Sequence, residues 1–153
     1  MTIAIRDARA ADWRFVEALG KRTVMDSVST LRRPVPADVE RNFDVLLDVV
    51  RARPHRAFIA VADDAPAGFL LLLDSLPDEV TGEDQSFVAY MAVEPELRER
   101  GVGAALLARA EDEARRAGVP YISLMVTEEN AAARALYERA GYVVERRLLC
   151  KTL

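Results

Sequence analysis

Apolar residues recur along this chain with two different periods, and the changes from one to the other mark element boundaries. Between Ala37 and Val50, the residues Val39, Phe43, Leu46, Leu47 and Val50 fall at three- and four-residue steps, which predicts an amphipathic helix ended by Pro54. Val102, Leu106, Ala110, Ala114 and Ala117 repeat the pattern with charges on the other face, so a second such helix runs over 102–117. Gly118 follows it as a left-handed cap, and Pro120 blocks continuation. Ala11 to about Lys21 reads as a helix with Trp13 and Val16 inward and Asp12 near its start. Asn130–Ala140 reads as another, closed by Gly141. Alternating or unbroken apolar runs predict strands at Ile3–Ala8, Arg56–Ala62, Gly68–Asp74, Gln85–Val93, Tyr121–Val126 and Tyr142–Leu149. Asp63-Asp64-Ala65-Pro66 is a hairpin turn, and the polar stretches Asp26–Pro36 and Leu76–Asp84 are loops. The order is β-α-α-β-β-β-α-β-α-β. This is a mixed α/β class: a twisted sheet of about six strands flanked by about four helices. The alternating second half calls for parallel strands and the central hairpin for antiparallel ones.

Composition narrows the picture only a little. At 153 residues the chain reads as a single domain over 1–153, large enough for its own core. No apolar run approaches the roughly 20 residues that cross a bilayer, so no membrane partner is expected. The first residues look like a strand rather than a signal peptide. Cys150 is the one cysteine, which points to a reducing, cytoplasmic setting. The net charge is −4, and all of the 21 basic residues except Lys21 and Lys151 are arginine. There is no basic stripe and no nucleic-acid motif. No His, Cys or acid residues have metal-ligand spacing, so no metal is expected. His55, beside Pro54, reads as a surface residue, and Trp13, Phe58 and Phe69 as core.

The chemistry sits in Val93-Glu94-Pro95-Glu96-Leu97-Arg98-Glu99-Arg100-Gly101-Val102-Gly103-Ala104-Ala105-Leu106-Leu107. It reads as a strand end, a turn and a glycine-rich helix start. Helix starts leave backbone amides unpaired, and the helix dipole adds partial positive charge there. The pair makes an anion site, and Gly101 and Gly103 let a bulky anion approach the backbone. A nucleotide P-loop needs Gly-Lys-Ser/Thr, which is missing. A dinucleotide fingerprint needs a third glycine where Leu106 stands.

Arg98-x-x-Gly101-x-Gly103 is similar to the acyl-CoA pyrophosphate loop of the GCN5-related N-acetyltransferase (GNAT) family. A second segment, Leu124 to Tyr142, resembles that family's strand, Asn130, small-residue helix with Leu136-Tyr137, and Gly141-aromatic signature. Together these cover about residues 85–145; the first half agrees in element order only. The resemblance implies a GNAT-like fold in which the strands at 85–93 and 121–126 splay apart around the pantetheine arm of acetyl-CoA. It assigns Met91, Ala92 and Val93 to that arm, through the backbone of Met91 and Val93. It assigns Arg98, Glu99, Arg100, Gly101, Val102, Gly103 and Ala104 to the pyrophosphate. Glu99 stands where many members carry glycine, and its side chain is expected to face water.

Asn130 reads both as a helix N-cap and, by resemblance, as a coenzyme contact. Tyr137 could be a core aromatic, but its placement favours the family's general acid, a phenol that gives a proton to the departing thiolate. The carboxylate that many members carry early in the fourth strand is replaced by Phe87. Glu83, Asp84, Tyr90, Asp26, Glu128 or an ordered water remain as routes for the amine's proton. The implied activity is acetyl transfer from acetyl-CoA to the primary amine of a small molecule or peptide. A non-catalytic acyl-CoA-binding regulator is the alternative. Family members commonly end in two strands; the residues after Gly141 contain no turn, so one long strand with an open edge, and a homodimer covering it, is expected.

Overall fold

A computed structural model describes all residues from Met1 to Leu153. In chain order the elements are β1 (Ile3–Asp7), α1 (Trp13–Thr23), α2 (Pro36–Arg51), β2 (His55–Ala62), β3 (Ala65–Leu73), β4 (Ser86–Val93), α3 (Val102–Arg116), β5 (Ile122–Leu124) and α4 (Ala131–Arg139). Short 3₁₀ turns at Ala10–Asp12, Val24–Ser27 and Pro95–Leu97 join some of them. The sheet follows chain order, β1-β2-β3-β4-β5; the first three pairs are antiparallel and β4–β5 is parallel. No helix is long and apolar enough to cross a membrane.

The unbroken apolar run of β3 is explained by burial on both faces, since successive strand residues point to opposite sides. Leu70 and Leu72 join Phe58 and Val88 against Val102, Leu106, Leu107 and Ala110 of α3. Phe69, Leu71 and Leu73 join Ile59 against Val16, Leu19, Phe43, Leu47 and Val50 of α1 and α2. The β2–β3 hairpin is tighter than the sequence suggests. Ala62 pairs with Ala65, and the turn is Asp63-Asp64, both left-handed (φ 47° and 66°). Such two-residue turns match the twist of the strands they join.

Helices α1 and α2 meet at Gly20, where a Cβ would lie 2.0 Å from Phe43 Cζ. Gly to Ala inside a helix normally stabilises by about 1 kcal/mol. Here the sign reverses: Gly20→Ala is expected to lower stability by about 1–3 kcal/mol, because the Phe43 ring is itself locked in the core. A urea titration measures this, and an unchanged or raised midpoint would contradict the packing.

Two features of β4 shape everything that follows. Leu71 pairs with Tyr90 but Leu72 with Val88, so Ala89 is an extra residue, a β-bulge that bends the strand. On the other side, pairing with β5 runs through Ser86–Ile122, Phe87–Ser123 and Val88–Leu124 and stops there. Beyond the bulge the two strands part, and β4 keeps an unpaired edge over Ala89–Val93.

The sheet has five strands, not about six. β5 is limited to Ile122–Leu124 instead of Tyr121–Val126, because the bulge ends its only pairing. The strand expected at Tyr142–Leu149 does not form. Tyr142 donates its amide to Tyr137 O, but no residue from Val143 onward makes a backbone hydrogen bond. A strand needs a neighbour, and this segment pairs with no strand of the sheet. Tyr142 packs into the core edge-on to Tyr137, and Arg146 bonds Asp78 and Glu79 in the β3–β4 loop.

Candidate active site

The open edge of β4 and the turn after it form one continuous backbone surface. Glu94 donates its amide to Ala67 O on β3 at 2.8 Å, so by strand alternation Val93 and Met91 direct their backbone groups to the opposite, open side. The Arg98 guanidinium takes the Val93 carbonyl there (Nε to O, 3.4 Å). Ala92 faces β3 with its backbone, and its side chain is buried in the α1–α2 core.

After the turn at Pro95–Leu97 the chain adopts left-handed conformations at Glu99 (φ 62°) and Gly101 (φ 88°), and α3 begins at Val102. No amide from Glu99 through Ala104 donates to any acceptor in the chain. Successive amides displayed by alternating left-handed residues form a concave anion nest, and here the start of a four-turn helix stands behind it. Glycine is unstrained where φ is positive, which explains why Glu99 is the unusual residue of the loop. Its side chain is exposed, as is that of Arg100. Val102 is 1% exposed and serves the core, so only its backbone belongs to the nest. A Cβ on Gly101 would meet only Ile3 Cδ1, at 3.9 Å.

Gly103 does something the sequence did not disclose. A Cβ there would stand 2.9 Å from Leu136 Cδ2, with Met91 Cε at 3.7 Å and Val93 Cγ2 at 3.9 Å. Its missing side chain lets α3, α4 and β4 close together, while its amide remains in the nest.

Helix α4 enters the cleft from the other side. Asn130 caps it, Oδ1 accepting from the Ala133 amide at 3.2 Å, and the Asn130 side-chain amide has no partner in the chain. Tyr137, two turns on, is half-buried and, like Leu136 and Met91, packs against the core beneath α3. Its hydroxyl bonds to no protein atom. Burial, and after it the neighbouring Tyr90 phenol, pushes the Tyr137 hydroxyl above the ordinary tyrosine range. It is therefore a proton holder at neutral pH.

A cluster next to the nest is built by residues from distant parts of the chain. Tyr90 and Thr23 hydroxyls are 3.0 Å apart. Burial also raises the Tyr90 phenol; Thr23 and Ser27 hydrogen bonds and Arg98 oppose the shift, and Asp26 adds to it. A phenol held protonated in this way is a poor base. Asp26 pairs with Arg98 (2.9 Å), linking the α1–α2 loop to the nest. Farther along that loop, Glu129 accepts from Ser29 Oγ, Thr30 N and Thr30 Oγ1, and Thr127 Oγ1 donates to Ser27 O. These bonds hold the Glu129 carboxyl down at about 2, Thr30 contributing most, and they latch the loop onto the entrance of α4. None of these pairings has a local sequence signal, because their members lie 67 to 100 residues apart.

The other candidate bases are placed differently. Phe87 lies within the paired part of β4. Asp84 accepts from Ser75 Oγ and the Gln85 amide, and Glu83 is exposed; both belong to the loop at the far end of β4 from the nest. Glu128 is exposed and pairs with Arg134. His55 begins β2, half-buried, edge-on to Trp13, with Nδ1 2.8 Å from Arg53 O.

Comparison with known proteins agrees with this geometry. Residues 23–142 match the family described as "Acetyltransferase (GNAT) family". A mycothiol acetyltransferase from Beutenbergia cavernae is 45% identical over 67 residues, which is 44% of this chain but only 21% of that relative's length. Among solved structures, a putative acetyl transferase from Pyrococcus furiosus superposes with a TM-score of 0.79 at 24% identity, over 99% of this chain and 100% of that one. The structure of AAC(6')-Iy in complex with the bisubstrate analog CoA-S-monomethyl-acetylneamine superposes with a TM-score of 0.72 at 20% identity, over 100% and 99% of the two chains. At these identities the structural likenesses speak to the fold.

Proposed function

The chain belongs to the GNAT acetyltransferase family, and on that premise we propose that it is a cytoplasmic N-acetyltransferase domain that moves acetyl from acetyl-CoA directly to a primary amine. The observation that carries the proposal is the continuous backbone surface from Met91 to Ala104, an open strand edge leading into an amide nest, with the Tyr137 hydroxyl unbonded beside it. A pantetheine arm is an amide-bearing chain and suits a strand edge; a pyrophosphate suits the nest. Met91 and Val93 would hold the former through their backbone groups, while Ala92, expected beside them, turns its backbone to β3 and its methyl into the α1–α2 core and has nothing free to offer; Arg98 to Ala104 would hold the latter, with the free Asn130 amide as a further contact.

Acetyl-CoA supplies, when bound, an acetyl group activated as a thioester. The chain's own groups do the rest. The backbone amide near Val93 would polarise the thioester carbonyl, and the Tyr137 phenol, raised by burial, would give a proton to the departing thiolate. The residues Thr23, Asp26, Tyr90 and Glu129 line the side from which an amine would approach. As a homodimer, the reading its sequence suggests, each copy would carry one such site.

No carboxylate lies early in β4, so the amine's proton passes to water. A primary amine has a pKa of about 10, and the reactive neutral form grows tenfold per pH unit below it. Rates are expected to rise steadily through the alkaline range. A profile that levels off near neutrality, and loses that plateau when one carboxylate such as Asp26 is replaced, would reveal a general base instead. The Phe87 substitution also supports a second reading, a regulator that binds acyl-CoA without turnover. A panel of small-molecule and peptide amines, with free thiol as the readout, separates the two: amine-dependent thiol release is expected, and coenzyme binding without release from any amine favours the regulator.

A further inference from the structure

Past the bulge at Ala89, the gap between β4 and β5 is bridged on the α1–α2 side of the sheet by the loop that joins those helices. Thr23 and Asp26 tie this stretch to Tyr90 and Arg98 at the β4 margin. Ser27, Ser29 and Thr30 tie it to Thr127 and Glu129 beyond β5. Helices α3 and α4 fill the opposite face. An amine that attacks a thioester held on the β4 edge therefore has to lie along the bridge.

The bulge decides which side chains such an amine meets. Strand residues normally alternate between faces, but the extra residue lets Ala89 and Tyr90 follow Phe87 on one side. All three pack against the α1–α2 core, whereas Val88 and Met91 pack against the α3 core. Ser123 pairs with Phe87 and shares its side; Met125 and Thr127 follow by alternation, and the Thr127 hydroxyl reaches the Ser27 carbonyl. Met125 is 84% exposed, and Met25 and Leu31 of the loop are 44% and 54% exposed. The acids nearby are already engaged: Asp26 by Arg98, Glu129 by Ser29 and Thr30, Glu128 by Arg134. Arg32 and Arg33 of the same loop are exposed, with no acid paired to either. A polycation finds two bare guanidiniums here and no free carboxylate. One polar anchor remains. Thr23 Oγ1 donates to the Leu19 carbonyl at 2.8 Å, so its 3.0 Å bond to Tyr90 carries the phenol's proton and leaves the Tyr90 oxygen as an acceptor.

We propose that the acceptor is a monoamine on an apolar body, an alkylamine or arylalkylamine, and that polyamines and other polycations are poor acceptors. Its nitrogen donates an N–H to the Tyr90 oxygen, and its carbon chain lies on Phe87, Ala89 and Met125 beneath Met25 and Leu31. The C–N bond forms as the C–S bond breaks. The amine loses one proton to water and the thiolate gains one from Tyr137, which water restores, so the products are the amide and free thiol. The proposal rests on the acetyl-transfer reading above and names its acceptor.

Hexylamine and 1,6-diaminohexane test it. They have the same length, and their primary amines have a pKa of about 10, so they differ in the distal charge. With acetyl-CoA and free thiol as the readout, kcat/KM is expected to favour hexylamine by at least about tenfold, because the distal ammonium would have to leave water for an apolar wall. From ethylamine through butylamine to hexylamine, KM should fall about fourfold for each methylene that the wall covers. Met125→Asp, at a position too exposed for folding to depend on it, should cut the hexylamine preference at least about fivefold with an unchanged thermal midpoint. Equal or better turnover of the diamine, or a preference that Met125→Asp leaves unmoved, overturns the proposal and leaves acetyl transfer standing. If no amine releases thiol, the same two amines are titrated calorimetrically into the protein with coenzyme A present. Preferential binding of hexylamine then keeps the apolar amine site and ends the transfer reading, whereas equal binding, or none, overturns both.

Discussion

Replacing Ala104 with Glu is expected to abolish acetyl-CoA binding while leaving the fold intact. Ala104 is exposed in the first turn of α3, and its amide is one of those left without an acceptor. Glutamate is a good residue for a first helical turn, where it also suits the dipole, so the helix itself loses nothing. The new carboxylate would lie against the pyrophosphate. Like charges about 4 Å apart cost about 4 kcal/mol at an effective dielectric of about 20. Affinity should therefore fall by more than about 100-fold, or ~2.8 kcal/mol. Titration calorimetry measures it, with the thermal midpoint of the free protein as the control for folding. Gly101→Glu should be equally damaging but carries backbone strain at φ 88°, and a change at Gly103 also strikes Leu136. Ala104 is the cleaner position. Undiminished binding by a folded Ala104→Glu protein would move the coenzyme elsewhere.

Tyr137→Phe is expected to lower kcat roughly 10- to 1000-fold with little change in coenzyme affinity, the pattern for loss of a group needed only in the transition state. The substitution is well controlled by the structure. The hydroxyl makes no bond within the chain, and the ring contacts, including the T-shaped packing on Tyr142 at 6.0 Å, survive in phenylalanine. Stability should thus stay within about 0.5 kcal/mol of the parent. If kcat is unchanged with an amine acceptor, Tyr137 is a core aromatic and nothing more.

Much of this architecture is legible in the sequence, for a physical reason. Helices α2 and α3 each present one apolar face to one core, so periodicity alone locates them to within about a residue or two at either end. The strands β2 to β4 are long and well paired, and their apolar runs reflect burial against helices on both faces. The nest is legible because it is built from consecutive residues, with a glycine where φ is positive and a helix start behind it.

What escapes the sequence is whatever depends on a neighbour. The bulge at Ala89 has no local signature, yet it decides where β4 and β5 separate. Gly103 reads as room for an anion but also makes room for Leu136, a residue 33 positions away. Asp26–Arg98, Thr23–Tyr90 and the Glu129 latch are meetings of distant segments, and nothing in either member of a pair announces the other. The segment 142–149 has the composition of a strand, but composition cannot supply the edge on which a strand must lie.

Acetyl transfer to nitrogen is tested most directly with acetyl-CoA labelled in its acetyl group, an amine that stimulates thiol release, and mass spectrometry of the products. The expected result is label on the acceptor as an amide, stable to hydroxylamine, appearing in step with free thiol and suppressed by Ala104→Glu and Tyr137→Phe alike. Label recovered only as acetate, or as a hydroxylamine-sensitive ester on the acceptor or the protein, would contradict it.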